Sequence, residues 1–201
     1  MRQLLKLLRR RSLLLLADSF TGTDGTAGSA HSPDVGPNPA AQVGTFKLLG
    51  NALVPNTNAD GDQQSWDVGV SDYTVSYDGV NSYSTLGNVS IPTFLVRYSD
   101  ASHYWLVEFR ADNSTVTIYS WNSPTLTPLA SGGFTATSGS VHQFRVACSG
   151  QLIQAYVDGT LNCQVTNASF NQSATKVAVR LGKAGVPPGT ASWDNLRVTA
   201  P

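Results

Sequence analysis

Residues 144–165 read FRVACSGQLIQAYVDGTLNCQV. Apolar and polar residues alternate through three short runs, and Ser149-Gly150 and Asp158-Gly159 separate them. Alternation with period two turns one side of an extended strand toward a core. A two-residue turn ending in Gly joins antiparallel strands with the twist they prefer. The stretch predicts a three-strand meander over residues 141–148, 152–157 and 160–165.

The same pattern runs outward along the chain. It predicts strands near 13–20, 44–49, 67–77, 88–98, 103–111, 114–121, 176–182 and 191–199, with Asp112-Asn113 as a further turn. No segment after residue 12 carries a helical stripe. About eleven short strands in 201 residues make an all-β fold, a two-sheet antiparallel sandwich or a barrel. Residues 22–42, GTDGTAGSAHSPDVGPNPAAQ, are poor in apolar side chains and rich in Gly, Pro and Ala. They read as a long surface loop.

Composition agrees. Hydrophobic residues make up 41% of the chain, enough for a core, whereas charged residues make up only 13%, about half the usual share. That excludes a disordered, coiled-coil or long-helix chain. The formal net charge is +0, which argues against a general nucleic-acid binder. No apolar stretch is long enough for a membrane-spanning helix. Charge is unevenly placed: Arg2, Lys6, Arg9, Arg10 and Arg11 lie at the start, and residues 12–201 carry 8 basic against 13 acidic groups, a net of −5.

Residues 1–12 therefore divide from a sandwich domain over residues 13–201. MRQLLKLLRRRSLLLL could be a secretory signal, but its apolar run is short and no small-residue cleavage pattern follows. A frayed tail would expose Leu4, Leu5, Leu7 and Leu8. The preferred reading is an assembly arm formed by these leucines with Arg9, Arg10 and Arg11, covered by other protein.

Cys148 and Cys163 fall on the first and third strands of the meander. Two strand spacings hold them about 9.5 Å apart, beyond the roughly 7 Å that a disulfide spans between Cα atoms. Both are expected as free thiols packed like small apolar residues, which removes one argument for an oxidising compartment. The Asn-x-Ser/Thr sites at Asn88, Asn113, Asn167 and Asn171 are of the kind a chain rich in Ser, Thr and Asn carries by chance.

Three stretches carry a resemblance. LLLLADSFTGTDGT (residues 13–26), FRVACSGQLIQAYVDGTL (144–161) and SWDNLRV (192–198) resemble, in order, the opening strand, the late VDG hairpin and the closing strand of concanavalin A-like (laminin-G-like) jelly rolls. The resemblance implies two antiparallel sheets with the first and last strands paired. The family includes lectins, glycan-binding modules, glycosidases and bacteriophage virion and tail proteins. The opening DSFTGTDGTA…SAHSPDVG looks most like its small phage-particle members.

The resemblance also implies what a catalytic member would need. Glycosidases of this superfamily carry two glutamates on one strand separated by an aspartate, since hydrolysis takes two carboxyl groups at one glycosidic bond. This chain has a single glutamate, Glu108, expected to pair with Arg97 or Arg110 on an outer sheet face. His31, His103 and His142 lack metal-ligand spacing, and no nucleophile motif appears. Asn56, Asn58, Asp60 and Asp62 alternate as in a calcium loop, with Gly61 between the two aspartates and Asp67 further on. Turn chemistry explains such a loop equally well.

Alternation turns Trp105, Val107 and Phe109 to one face and Tyr104, Leu106 and Glu108 to the other, with Val116 and Ile118 inward and Thr117, Tyr119 and Trp121 outward. Tyr104, Tyr119 and Trp121 are thus the candidate binding residues, for a glycan or, preferred, a subunit interface. The expected function is a non-catalytic structural protein of a bacteriophage particle, a capsid decoration or tail component located on the virion. It would contact other virion proteins and itself, with surface-glycan adhesion as an addition, and no cofactor is expected. The alternative is a carbohydrate-binding lectin-like module, secreted or at a cell surface; a degenerate glycoside hydrolase is the third reading.

Overall fold

The structure, a computed structural model, describes residues 12–57, 61–80, 92–110, 112–135, 139–166, 168–181 and 192–201. Fifteen strands follow one another: β1 (Leu14–Asp18), β2 (Ala40–Val43), β3 (Phe46–Leu48), β4 (Leu53–Pro55), β5 (Gln63–Asp67), β6 (Tyr73–Val80), β7 (Pro92–Asp100), β8 (His103–Arg110), β9 (Thr115–Asn122), β10 (Thr125–Gly133), β11 (Val141–Ser149), β12 (Leu152–Val157), β13 (Thr160–Val165), β14 (Lys176–Leu181) and β15 (Ser192–Thr199). The helical content of the described residues is one 3-10 turn, Gly28–Ala30, and none of their helices is long and apolar enough to cross a membrane.

The strands make a two-sheet antiparallel sandwich. An eight-stranded sheet runs β13-β12-β11-β6-β15-β4-β3, with β1 also paired to β15, and a seven-stranded sheet runs β10-β9-β8-β7-β14-β5-β2. First and last strands pair as expected, with Leu16 opposite Val198 and Asp18 opposite Leu196. The meander β11-β12-β13 forms as the turns at Ser149-Gly150 and Asp158-Gly159 predict, in antiparallel register. Cys148 on β11 and Cys163 on β13 are free and buried, with β12 between them.

Aromatic side chains from the two inner faces interdigitate. Tyr77 of the eight-stranded sheet meets Phe94 of the other edge-on at 4.5 Å between ring centres, and Phe109 meets Phe144 at 4.6 Å. Trp66, Trp105 and Trp193 are buried around them. Each such pair adds about 0.5–1.5 kcal/mol to the burial of its own area.

Four strands lie outside the expected set, each for a physical reason. β2 lies within the expected loop 22–42; that segment also buries Gly28 and is bridged through Ala27 to Lys47. β4 is only three residues long, LVP. β5 reads QQSWD, yet Gln63, Gln64 and Ser65 are buried. β10 contains Pro128 and two glycines, residues that weaken a strand pattern; as the outermost strand of its sheet it tolerates the missing Pro donor. The expected strand 67–77 starts only at Tyr73, as β6, because Asp67 closes β5 and Gly69 turns the chain between them at φ +75°. The arm residues Leu4, Leu5, Leu7, Leu8, Arg9, Arg10 and Arg11 lie outside the described residues.

Candidate functional site

The side of β7, β8 and β9 that faces away from the core is set by register. Tyr104 stands opposite Trp121, Leu106 opposite Tyr119, and Glu108 opposite Thr117. On the other side of β9, β10 places Leu126 opposite Trp121, Pro128 opposite Tyr119 and Ser131 opposite Thr117. The three aromatic residues named from the sequence therefore share one outer surface.

Their exposure differs. Tyr104 is 5% exposed, stacked between Tyr98 (centroids 5.7 Å apart, planes 20°) and Trp121 (6.2 Å, 24°). It supports the row from beneath rather than presenting a free ring. Leu95, Leu106 and Ala178 are buried beside it on the same face. Trp121 and Tyr119 are half-buried, so part of each ring remains accessible. The Trp121 indole N–H and the Tyr98 hydroxyl are buried without a hydrogen-bond partner among the described residues, and burial raises the Tyr98 phenol above its ordinary pKa.

Tyr98 was not legible as part of this row. Strict alternation from Leu95 would turn Arg97 outward and Tyr98 inward. A bulge between Val96 and Asp100, with Arg97 at φ +47°, reverses both. Arg97 is consequently buried, and its guanidinium donates to the carbonyls of Ser71 (3.3 Å), Ala168 (3.4 Å) and Gly150 (2.6 Å) and to the carboxylate of Asp72 (3.1 Å). The expected ion pair of Glu108 with Arg97 is thereby corrected. Arg110 donates to Asp112 at 2.7 Å, and Glu108 accepts the Tyr119 hydroxyl at 3.3 Å. Burial raises the Glu108 carboxyl above its usual range, against the opposing pull of Arg110 and that hydroxyl.

The surface thus presents two partly open aromatic rings next to a carboxylate, the Thr117 and Ser131 hydroxyls 3.1 Å apart, and the Arg110–Asp112 pair. Ring faces accept apolar C–H surface, while carboxylate and hydroxyl groups fix orientation by hydrogen bonds. That combination matches a sugar ring, which has an apolar face and a hydroxylated rim. A second concavity, lined by Phe134, Asp158, Thr160 and Asn162, has its amide already committed. Asn162 accepts the Val157 N–H at 2.8 Å and donates to the Gly133 carbonyl at 2.7 Å.

Each histidine meets an aspartate: His31–Asp18 at 2.9 Å, His103–Asp100 at 2.9 Å and His142–Asp158 at 2.8 Å. Of the calcium-loop residues, Asn58 and Asp60 lie outside the described residues. Asn56 donates to the Thr45 hydroxyl at 3.3 Å, and Asp62, buried, accepts the Thr57 hydroxyl at 2.7 Å. Among the described residues no three His, Cys, Asp or Glu side chains are grouped to hold a metal ion.

No protein-family profile matches the sequence, and no curated protein sequence matches it. Solved structures do match by fold. A carbohydrate binding module, CBM66 from Bacillus subtilis, is similar with TM-score 0.66 at 12% identity, over 81% of this chain and 95% of that one. The exoplasmic/lumenal domain of VIP36, in a Ca2+/Man-bound form, is similar with TM-score 0.60 at 11% identity, over 95% and 90%. Domain 4 of AbnA, a GH43 extracellular arabinanase from Geobacillus stearothermophilus, in complex with arabinotriose, is similar with TM-score 0.52 at 14% identity, over 94% and 93%. At such identities the likeness is one of fold alone, a two-sheet antiparallel β-sandwich. The phage-particle expectation takes no support from these structures.

Proposed function

We propose that this protein is a non-catalytic carbohydrate-binding sandwich acting outside the cell or at a cell surface, with Trp121 and Tyr119 as its sugar-contacting rings. The observation that carries the reading is the half-open Trp121–Tyr119 surface beside Glu108 and Thr117 on the outer face of the seven-stranded sheet. The likeness to one sandwich named as a carbohydrate binding module and to two others in sugar-bound forms supports it, in preference to the virion reading. Glu108 is the only glutamate in the chain and accepts a hydrogen bond from Tyr119, a role in holding the ring rather than in acid–base chemistry.

A glycan array with the full chain tests the proposal, followed by calorimetry on the best neutral glycan. Trp121→Ala is expected to weaken binding about ten-fold or more, the value of losing one stacked ring. Unchanged binding by Trp121→Ala, or release of reducing ends from the bound glycan by the wild type, would overturn it.

A further inference from the structure

The outer face of the eight-stranded sheet carries a row that the Trp121 surface does not use. Register places Arg197 opposite Ser76, Ser76 opposite Arg145, and Arg145 opposite Tyr156. Their strand neighbours Val75, Val146, Ala155 and Val198 are in the core, so this row points away from it. The Arg145 guanidinium lies 3.6 Å from the centre of the Tyr156 ring. Stacked this way, its N–H edge is held ready for an acceptor in the plane above the sheet.

Counter-ions are missing from the row. Arg97 and Arg110 have Asp72 and Asp112, whereas neither Arg145 nor Arg197 makes an ion pair among the described residues. The next row along the strands is neutral: Thr199, Thr74, Ala147, Gln154 and Gln164. There the Gln154 amide donates to the Gln164 amide oxygen at 3.0 Å. On the other side Asp194 stands opposite Asp78, which accepts the Asn195 amide at 3.0 Å, and Asp34 lines the same concavity as Arg197 without an ion pair to it.

We propose that this row binds acidic polysaccharide, with Arg145 and Arg197 taking carboxylate or sulfate groups and Tyr156 lying beside the sugar. The two arginines are two strands apart, about 9.5 Å, so they engage two separate anionic groups of one chain. A nucleic acid fits poorly, since a phosphate backbone is held by a run of cations and residues 12–201 carry a net −5, 8 basic against 13 acidic groups. The polymer class rests on the carbohydrate reading above, but the residues are independent of Trp121.

Affinity electrophoresis of the full chain through gels containing polygalacturonate, dextran sulfate or neutral dextran tests this. Retardation by the two anionic polymers, but not by dextran, is expected, and it should fade as salt rises. Arg145→Gln with Arg197→Gln should weaken it about ten-fold or more, since charge-assisted hydrogen bonds are lost. Arg145→Lys with Arg197→Lys should retain part of it, and Trp121→Ala should leave it intact. Undiminished retardation of the double glutamine variant would overturn the proposal. Binding of single-stranded DNA as tight as that of polygalacturonate would overturn the choice of polymer. Neutral-glycan binding that Trp121→Ala leaves unchanged, or that the wild type lacks, together with arginine-dependent retardation, would sink the Trp121 reading and leave this one standing.

Discussion

Arg97 shows how far a single side chain can depart from its pattern. Its sequence context is a strand, and alternation makes it a surface cation. The bulge turns it into a buried tie between the segments carrying Ser71, Asp72, Gly150 and Ala168, and its own N–H donates to the Tyr73 hydroxyl at 2.8 Å. Arg97→Met would leave three carbonyls without their donor, two of them bonded from partly buried positions. Urea unfolding should show a loss of about 3 kcal/mol or more. Glu108 predicts a pH effect of known sign. Its carboxyl is raised in the folded state by burial, so ionisation disfavours the fold. This group's contribution is fully present below its unfolded pKa and is lost as pH rises through the higher folded value. Glu108→Gln, which still accepts from Tyr119, should therefore gain stability over wild type near pH 7 and lose that advantage near pH 4. Urea midpoints at the two pH values check it. Tyr119 and Trp121 were legible because β8 and β9 keep strict alternation through their paired length. The burial of Tyr104 was not, because it depends on Tyr98, which only the bulge brings alongside.

Among the elements, those that were legible have regular alternation and Gly-containing turns, as β11, β12 and β13 do. β5 was hidden because three of its four buried side chains, Gln63, Gln64 and Ser65, are polar, so polarity misreports its place. β10 was hidden because Pro128, Gly132 and Gly133 erase the pattern. Those same residues suit it to the position where the two sheets meet at their edges. There Gly132 of β10 lies against the backbone of Asn162 on β13, and a Cβ at that position would run into the Asn162 carbonyl. The Asn162 amide also bonds the Gly133 carbonyl. Gly132→Ala should force the edges apart and cost about 1–3 kcal/mol, the usual range for overpacking. Gly133→Ala, whose Cβ would meet only the Ser114 carbonyl at 3.8 Å, should cost clearly less. Comparing the two thermal melts separates close approach from the general weakness of Ala or Gly in strands.

At the scale of the whole molecule, closure depends on the chain's two ends. β15 pairs with β1, β4 and β6, and the core claims Leu16, Phe20, Trp193, Leu196 and Val198 from the terminal segments. Among the described residues the core runs from Leu16 to Val198. This pairing was legible only through the resemblance of the opening and closing stretches to concanavalin A-like jelly rolls, because four successive leucines at 13–16 carry no alternation that names a partner strand. Residues 1–11 are a different matter, because their leucines and arginines pull in opposite directions. Burial favours each leucine by roughly 1.5–3 kcal/mol, and the five cations, Arg2, Lys6, Arg9, Arg10 and Arg11, resist the same burial. An interface with an acidic rim on another copy would meet both demands, and residues 12–201 carry 8 basic against 13 acidic groups, a net of −5. Deleting residues 2–11 should leave the urea midpoint unchanged, because the described core from Leu16 to Val198 is already closed by the pairing of β1 with β15. It should also lower the self-association measured by light scattering at matched concentration. A deletion that shifts the midpoint would show the segment to be part of the sandwich, and one that leaves both measurements unchanged would reduce it to a tail.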